Sequence, residues 1–267
     1  METNNKISEI IQKNFISKIS YFSKYNSEIK ISENSDFMRV DSMLPSDTFN
    51  ICVLKNKNSL EKVEVFQEIT EYFNKKSFPA AVWLWNDNCA SKERMEESGS
   101  GLSEIEKGMY IDTCKIKEKD LKYEGFTIEK VSSGKQMEDF SKVIASIFGE
   151  TEEAHYVKRQ YDILGQKKIY TDTEMTFFVG YFDGTPVSCG TVYVTEESTG
   201  IYDVAVKEDC RKKGFGSAMF AHLMGEAKKN NTKYCILQAS SDGAGIYRKM
   251  GFTDVCDIDV YENRDFL

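Results

Sequence analysis

The chain has 267 residues, 40% of them hydrophobic and 29% charged, and a formal net charge of −8. That is enough chain for one large domain or two smaller ones, and the composition is that of an ordinary globular protein. The acidic balance argues against nucleic acid as the main partner, and no apolar run approaches the roughly 20 residues of a bilayer span.

The start, M-E-T-N-N-K-I-S-E-I-I-Q-K, is polar and amphipathic, unlike a secretory signal. The seven cysteines, at 52, 89, 114, 189, 210, 235 and 256, are odd in number, scattered and without metal spacing. With only His155 and His222 beside them, no metal site is expected. Reduced thiols in the strands of a cytoplasmic protein are the expectation. A Cys–His nucleophilic pair stays open, with nothing pointing to one.

In chain order, Lys6–Tyr25 places Ile7, Ile10, Ile11, Phe15 and Ile19 at helical spacing, and Ser59–Lys76 does the same with Leu60, Val63, Phe66, Ile69 and Phe73. Phe37–Val40 and Phe49–Lys55 read as strands between them. Pro79 is expected to break the second helix, before a strand at Ala80–Trp85. A short helix at Ala90–Ser98 and a strand at Glu104–Thr113 follow. The charged run Lys115–Glu124 reads as a linker. Beyond it come a strand at Gly125–Val131 and helices at Gly134–Phe148 and Ala154–Gln166, with His155 on a surface. Strands at Met175–Phe182 and Pro186–Thr195 are joined by a tight Asp183-Gly184 turn, and Gly200–Val206 completes the meander.

No glycine precedes Gly99, so the first 98 residues cannot form a glycine-based anion loop. The second half can. An apolar run, Ile201–Val206, reads as a buried strand, and Lys207–Cys210 links it to Arg211, Lys212, Lys213, Gly214, Phe215, Gly216 and a helix starting at Ser217. The first turn of a helix has no internal acceptors for its N–H groups, so such a loop presents donors to an anion. Gly214 and Gly216 let the main chain approach a phosphate without a Cβ, and three basic residues add charge. Neither a P-loop nor a G-x-G-x-x-G fingerprint is present.

R-x-x-G-x-G after a strand, followed by a helix to Lys229, a strand at Tyr234–Ala239 and G-I-Y-R-K-M-G-F at 245–252, resembles the GNAT N-acetyltransferase superfamily over residues 121–267. The resemblance implies an α/β (α+β) fold: a mixed, mainly antiparallel twisted sheet flanked by helices. Residues 1–120 read as a degenerate N-terminal copy of similar architecture, as in tandem GNAT proteins. An unrelated α+β domain is the alternative there.

By the same resemblance the function is acetyl-CoA-dependent acetyl transfer to an unidentified amine. The co-substrate is acetyl-CoA, with no metal, and the acceptor is a small-molecule or peptide amine; a homodimer is compatible. Main-chain groups of Val204, Ala205 and Val206 would pair with the pantetheine arm and polarise the thioester carbonyl. Residues 211–217, Arg211 to Ser217, would take the pyrophosphate. The helices over 134–166 would form part of the acceptor pocket. Tyr247 matches the family tyrosine that protonates the departing thiolate; the alternative is a ring packed beside Phe252. Ser240 stands where many relatives have a cofactor-contacting asparagine, with a shorter reach. Some relatives carry a glutamate base at the position of Gly200, so no base is inherited. Strand alternation turns Asp203 away from the face of Tyr202 and Val204; Glu196 and Glu197 read as turn carboxylates, with action through water as the alternative, and an acceptor amine of low pKa would need no base. A non-catalytic acyl-CoA-binding sensor or interaction protein is the rival function.

Overall fold

The computed structural model describes residues 2–267 except 56–58, 60, 86–88, 118 and 120. By packing, the chain divides into two compact units: residues 1–109 with 238–267, and residues 110–237. The sequence division at 120 separates halves of similar element order. The packing division follows where the last strand finds its partner.

In the first unit, α1 (Glu2–Tyr21) precedes β1 (Lys30–Glu33), β2 (Phe37–Asp41) and β3 (Ile51–Leu54). Then come α2 (Val63–Asn74), β4 (Ala81–Trp85), α3 (Cys89–Glu97) and β5 (Gly101–Asp112). The closing elements of the chain, α7 (Ser241–Lys249) and β11 (Thr253–Glu262), also belong to this unit. Strand order is β1-β2-β3-β4-β11-β5. The β3–β4 pair is parallel, with Ile51 opposite Ala81, whereas β11 runs antiparallel to β4, with Ile258 opposite Trp85.

Ile7, Ile10, Ile11, Phe15 and Ile19 of α1 are all buried, as their spacing requires. Phe15 lies 4.4 Å from the Trp83 ring. The α2 helix ends at Asn74, ahead of Pro79, because Ser77 takes a left-handed φ of 52°. β1 was not expected. Its burial is almost wholly exposed, so no alternation marks it.

In the second unit, β6 (Phe126–Lys130), α4 (Gly134–Ser146), α5 (Glu152–Gln166), β7 (Met175–Phe182), β8 (Thr185–Val194) and β9 (Ser198–Val206) lead to α6 (Phe215–Lys229) and β10 (Tyr234–Ala239). Strand order is β10-β9-β8-β7-β6. The pairs from β6 to β9 are antiparallel; β9 and β10 are parallel. Asp183 and Gly184 both have positive φ, the geometry of a tight hairpin turn.

Two helical layers cover opposite faces of this sheet. A Cβ on Gly190 would meet Leu223 of α6 at 2.5 Å, so that position faces α6. Its neighbours Cys189 and Thr191 face the other way by alternation. On that side Phe177, paired with Thr191, packs against Phe140 of α4 and Tyr161 of α5 at 5.1 and 6.3 Å.

Candidate functional site

The first feature is an interrupted ladder. β9 and β10 pair in parallel from Ser198↔Tyr234 through Thr199↔Cys235 to Gly200↔Ile236. Among the described residues the pairing stops there, while β9 continues to Val206. The β9 edge from Ile201 onward therefore carries main-chain donors and acceptors outside that ladder, and a ligand rich in amides can pair with them.

β9 also carries a bulge. On its other edge Thr191 pairs with Tyr202 and Cys189 with Ala205, so Asp203 and Val204 together oppose Gly190. Asp203 takes a φ of 55°. Aspartate tolerates this left-handed conformation better than most side chains. The expectation from strand alternation fails here. Tyr202 shares a face with Thr191, and Asp203, released by the bulge, reaches the same α4/α5 side, where its carboxylate hydrogen-bonds with the Tyr161 hydroxyl. The Cys189 thiol donates to the Asp203 carbonyl at 3.4 Å. Burial, and then Asp203, push the Tyr161 phenol well up; burial does the same to the Cys189 thiol.

β9 runs through a short turn into the second feature. Gly214 caps α6 at φ 90° with no side-chain cap bond, and the first helical bond joins the Ala218 N–H to the Gly214 carbonyl at 3.0 Å. The N–H groups of Phe215, Gly216 and Ser217 lie in the helix's first turn, where no internal acceptor exists. Lys212 also has positive φ, at 62°. Arg211, Lys212 and Lys213 are exposed, and the Arg211 Nε donates to the Val206 carbonyl at 3.4 Å. The arrangement presents N–H groups and positive charge to one anion.

A side chain at Gly214 would have to displace the Tyr123 ring and hold a φ of 90°. A Cβ there would lie 2.3 Å from Oη of Tyr123, and one on Gly216 would lie 3.1 Å from Val206. Phe215, by contrast, is 3% exposed and stacks on Phe126 at 4.6 Å. Only its main chain is available to a ligand. The same holds for Ala205, which is buried.

Tyr247 and Ser240 belong to the other packing unit. Ser240 caps α7, its hydroxyl accepting the Gly243 N–H at 3.2 Å. Tyr247 is half-buried on α7, with its ring edge-on to Phe252 at 6.3 Å. Burial, and then the negative charge of Glu106, raise its phenol, so it holds its proton at neutral pH. Glu106 is itself pushed up to about 7 by burial and by Glu104. The Glu104 carboxylate accepts the Ser241 N–H at 3.3 Å. His155, Glu196 and Glu197 are exposed. Among the described residues no group of three or more His, Cys, Asp or Glu is placed to hold a metal ion. None of their helices is long and apolar enough to cross a membrane.

The mainly antiparallel sheet flanked by helices is the fold shared with GNAT-like solved structures. Residues 173–254 match the acetyltransferase (GNAT) domain family. A GCN5-related N-acetyltransferase from Kribbella flavida is 12% identical, covers 96% of this chain and 94% of its own, and superposes with a TM-score of 0.67. A functionally unknown conserved protein from Staphylococcus epidermidis is 19% identical over 87% of this chain and 92% of its own, with a TM-score of 0.64. A tandem GNAT protein from the clavulanic acid biosynthesis pathway, 6% identical, covers 85% of this chain and 77% of its own at a TM-score of 0.57. At such identities the likeness is one of fold. No curated protein matches the chain.

Proposed function

We propose that the chain is an acetyl-CoA-dependent N-acetyltransferase that acts on a primary amine by direct attack within a ternary complex. The observation that carries this reading is the β9–β10 ladder ending at Gly200↔Ile236 beside a helix N-terminus capped by Gly214. An amide-rich arm and a pyrophosphate need such a pair of features in that order.

Acetyl-CoA supplies the acyl group as a thioester. Main-chain groups of Val204–Val206 hold the pantetheine arm and polarise the carbonyl. The N–H groups at 215–217, with Arg211, Lys212 and Lys213, hold the pyrophosphate. Tyr247, which keeps its proton at neutral pH, donates it to the departing thiolate. Ser240 serves mainly as the α7 cap. Residues 1–120 act as a degenerate partner copy that binds no cofactor, and the acceptor is a small-molecule or peptide amine in a cytoplasmic setting.

Turnover of acetyl-CoA against a panel of primary amines, read as free thiol released, tests the reading. Acetylation of at least one amine, with one CoA bound per chain by calorimetry, is expected. CoA binding without turnover on any amine would replace it with a non-catalytic acyl-CoA-binding role.

A further inference from the structure

The sequence offers no inherited base, since Gly200 stands where some relatives carry a glutamate. The bulge supplies a carboxylate elsewhere. Asp203 directly precedes the main chain assigned to the thioester, so its Cα lies about 3.8 Å from that of Val204. A non-glycine residue in left-handed conformation inside a strand is strained and persists only where its surroundings hold it. Here it is held on two sides: the Cys189 thiol binds its carbonyl and the Tyr161 hydroxyl binds its carboxylate. What the strain achieves is to bring an acid group, which alternation would have turned toward α6, onto the α4/α5 face.

On the N-acetyltransferase reading above, we propose that Asp203, oriented by Tyr161, is the base that receives the acceptor's ammonium group and takes its proton. The groups around Asp203 suit this. Tyr161 of α5 and Cys189 of β8 both hold their protons at neutral pH, pushed up mainly by burial. From α4, Phe140 packs on Tyr161 at 5.1 Å and contributes no charge. Among these neighbours the proton acceptor is the carboxylate, and the phenol is a donor to it. A cation seated there is paired rather than stranded.

The step balances. The ammonium gives one proton to the Asp203 carboxylate, and the freed nitrogen lone pair forms the bond to the thioester carbon. The C–S bond breaks with its electron pair on sulfur, and the thiolate takes the Tyr247 proton. A second nitrogen proton leaves as the amide forms and restores Tyr247 through solvent. Asp203 then loses its proton to solvent, so one proton is released per turnover. Tyr161 acts through Asp203 and is a positioning residue.

The test compares the parent with Asp203→Asn, Asp203→Gly and Tyr161→Phe. Each is assayed by thiol release with the amine panel from mildly acid to mildly alkaline pH, and by calorimetry with CoA. Asparagine and glycine both accept the left-handed backbone, so the strand path survives while the carboxylate is lost. The expected result is a loss of about a hundredfold or more in kcat/KM for the amine in both, a lost acid limb, and CoA affinity near the parent's. Tyr161→Phe should keep turnover but move the acid limb to higher pH, because a donor to the ionised carboxylate is gone. Parent-like rates and pH profile in either Asp203 variant overturn the assignment alone. Should both variants also lose CoA binding, Tyr161→Phe decides: an unmoved limb overturns it. A parent that binds CoA and acetylates no amine overturns the transferase reading, and this assignment with it.

Discussion

The two halves repeat a strand, helix and parallel strand, and differ at the point where a ligand would enter. In the first half β3 pairs with β4 through Ile51, Cys52 and Val53, three of its four residues. In the second, β9 pairs with β10 through Ser198, Thr199 and Gly200, three of its nine. The first helix starts from Lys62 at φ −81°, the second from Gly214 at φ 90°. Both ladders are equally short. What distinguishes the second half is the length of strand left over and the glycine that turns the chain into its helix. The same strand–helix–strand order can thus be built with or without a long strand end beyond the parallel ladder and a glycine at the helix entry.

That comparison breaks most sharply at Gly214. Gly214→Val adds a branched side chain where Tyr123 Oη would lie 2.3 Å from its Cβ, at a φ of 90°. CoA affinity should fall about a thousandfold, or ~4 kcal/mol, in calorimetry. Parent-like binding would mean that the two halves do not differ where the geometry says.

Tyr247→Phe comes next. It keeps the ring against Phe252 and removes only the donor. The expected loss is about a hundredfold in kcat and kcat/KM together, with acetyl-CoA affinity unchanged. A variant as fast as the parent would reduce Tyr247 to a packing residue.

Arg211 and Lys213 sharpen the comparison at smaller scale. Both are exposed, so each charge acts through solvent and contributes modestly. Replacing the two by Ala should weaken CoA about tenfold, more at low salt than at high, and leave pantetheine binding as it was. Equal weakening of both ligands would assign the loop to structure alone.

The smallest effect concerns Glu106. Its folded-state pKa of about 7 lies above the ordinary 4.5, so the fold prefers the protonated acid. The stability this provides is complete below about 4.5 and is lost as pH rises through about 7. Glu106→Gln should therefore raise the melting temperature by a few degrees at mildly alkaline pH and change it little in acid. The same substitution should lower the Tyr247 phenol, seen as a difference titration against Tyr247→Phe.

Much of this was legible in the residues. Met175–Phe182 and Tyr234–Ala239 form the strands their apolar runs announce. Gly214 marks the helix entry through its φ of 90°, which L side chains rarely adopt, and Gly216 follows with a Cβ position 3.1 Å from Val206. Three things were hidden. β1, K-I-S-E, has no buried face to leave a pattern. The turn at Asp203 depends on Gly190, thirteen residues earlier, and on Tyr161 of a helix, so no local spacing encodes it. The pairing of β11 with β4 joins residues some 170 positions apart, and hydrophobic alternation says which face of a strand is buried but not which neighbour it has.

That last pairing affects how the molecule is made. Asn263, just past β11, accepts the Ala80 N–H at 2.8 Å and donates to Asn74 and to the Phe78 carbonyl at 2.7 and 3.1 Å. The unit that contains residues 1–109 thus needs strand and anchor residues that are synthesised only after residues 110–237. The unit built from residues 110–237 is contiguous, so all of its strands and helices are present sooner. At roughly 5–20 residues per second, residues 1–109 wait on the order of 10 s for β11. During that time the β4 strand, with Trp83 and Trp85, lacks the β11 neighbour that pairs with it in the finished fold.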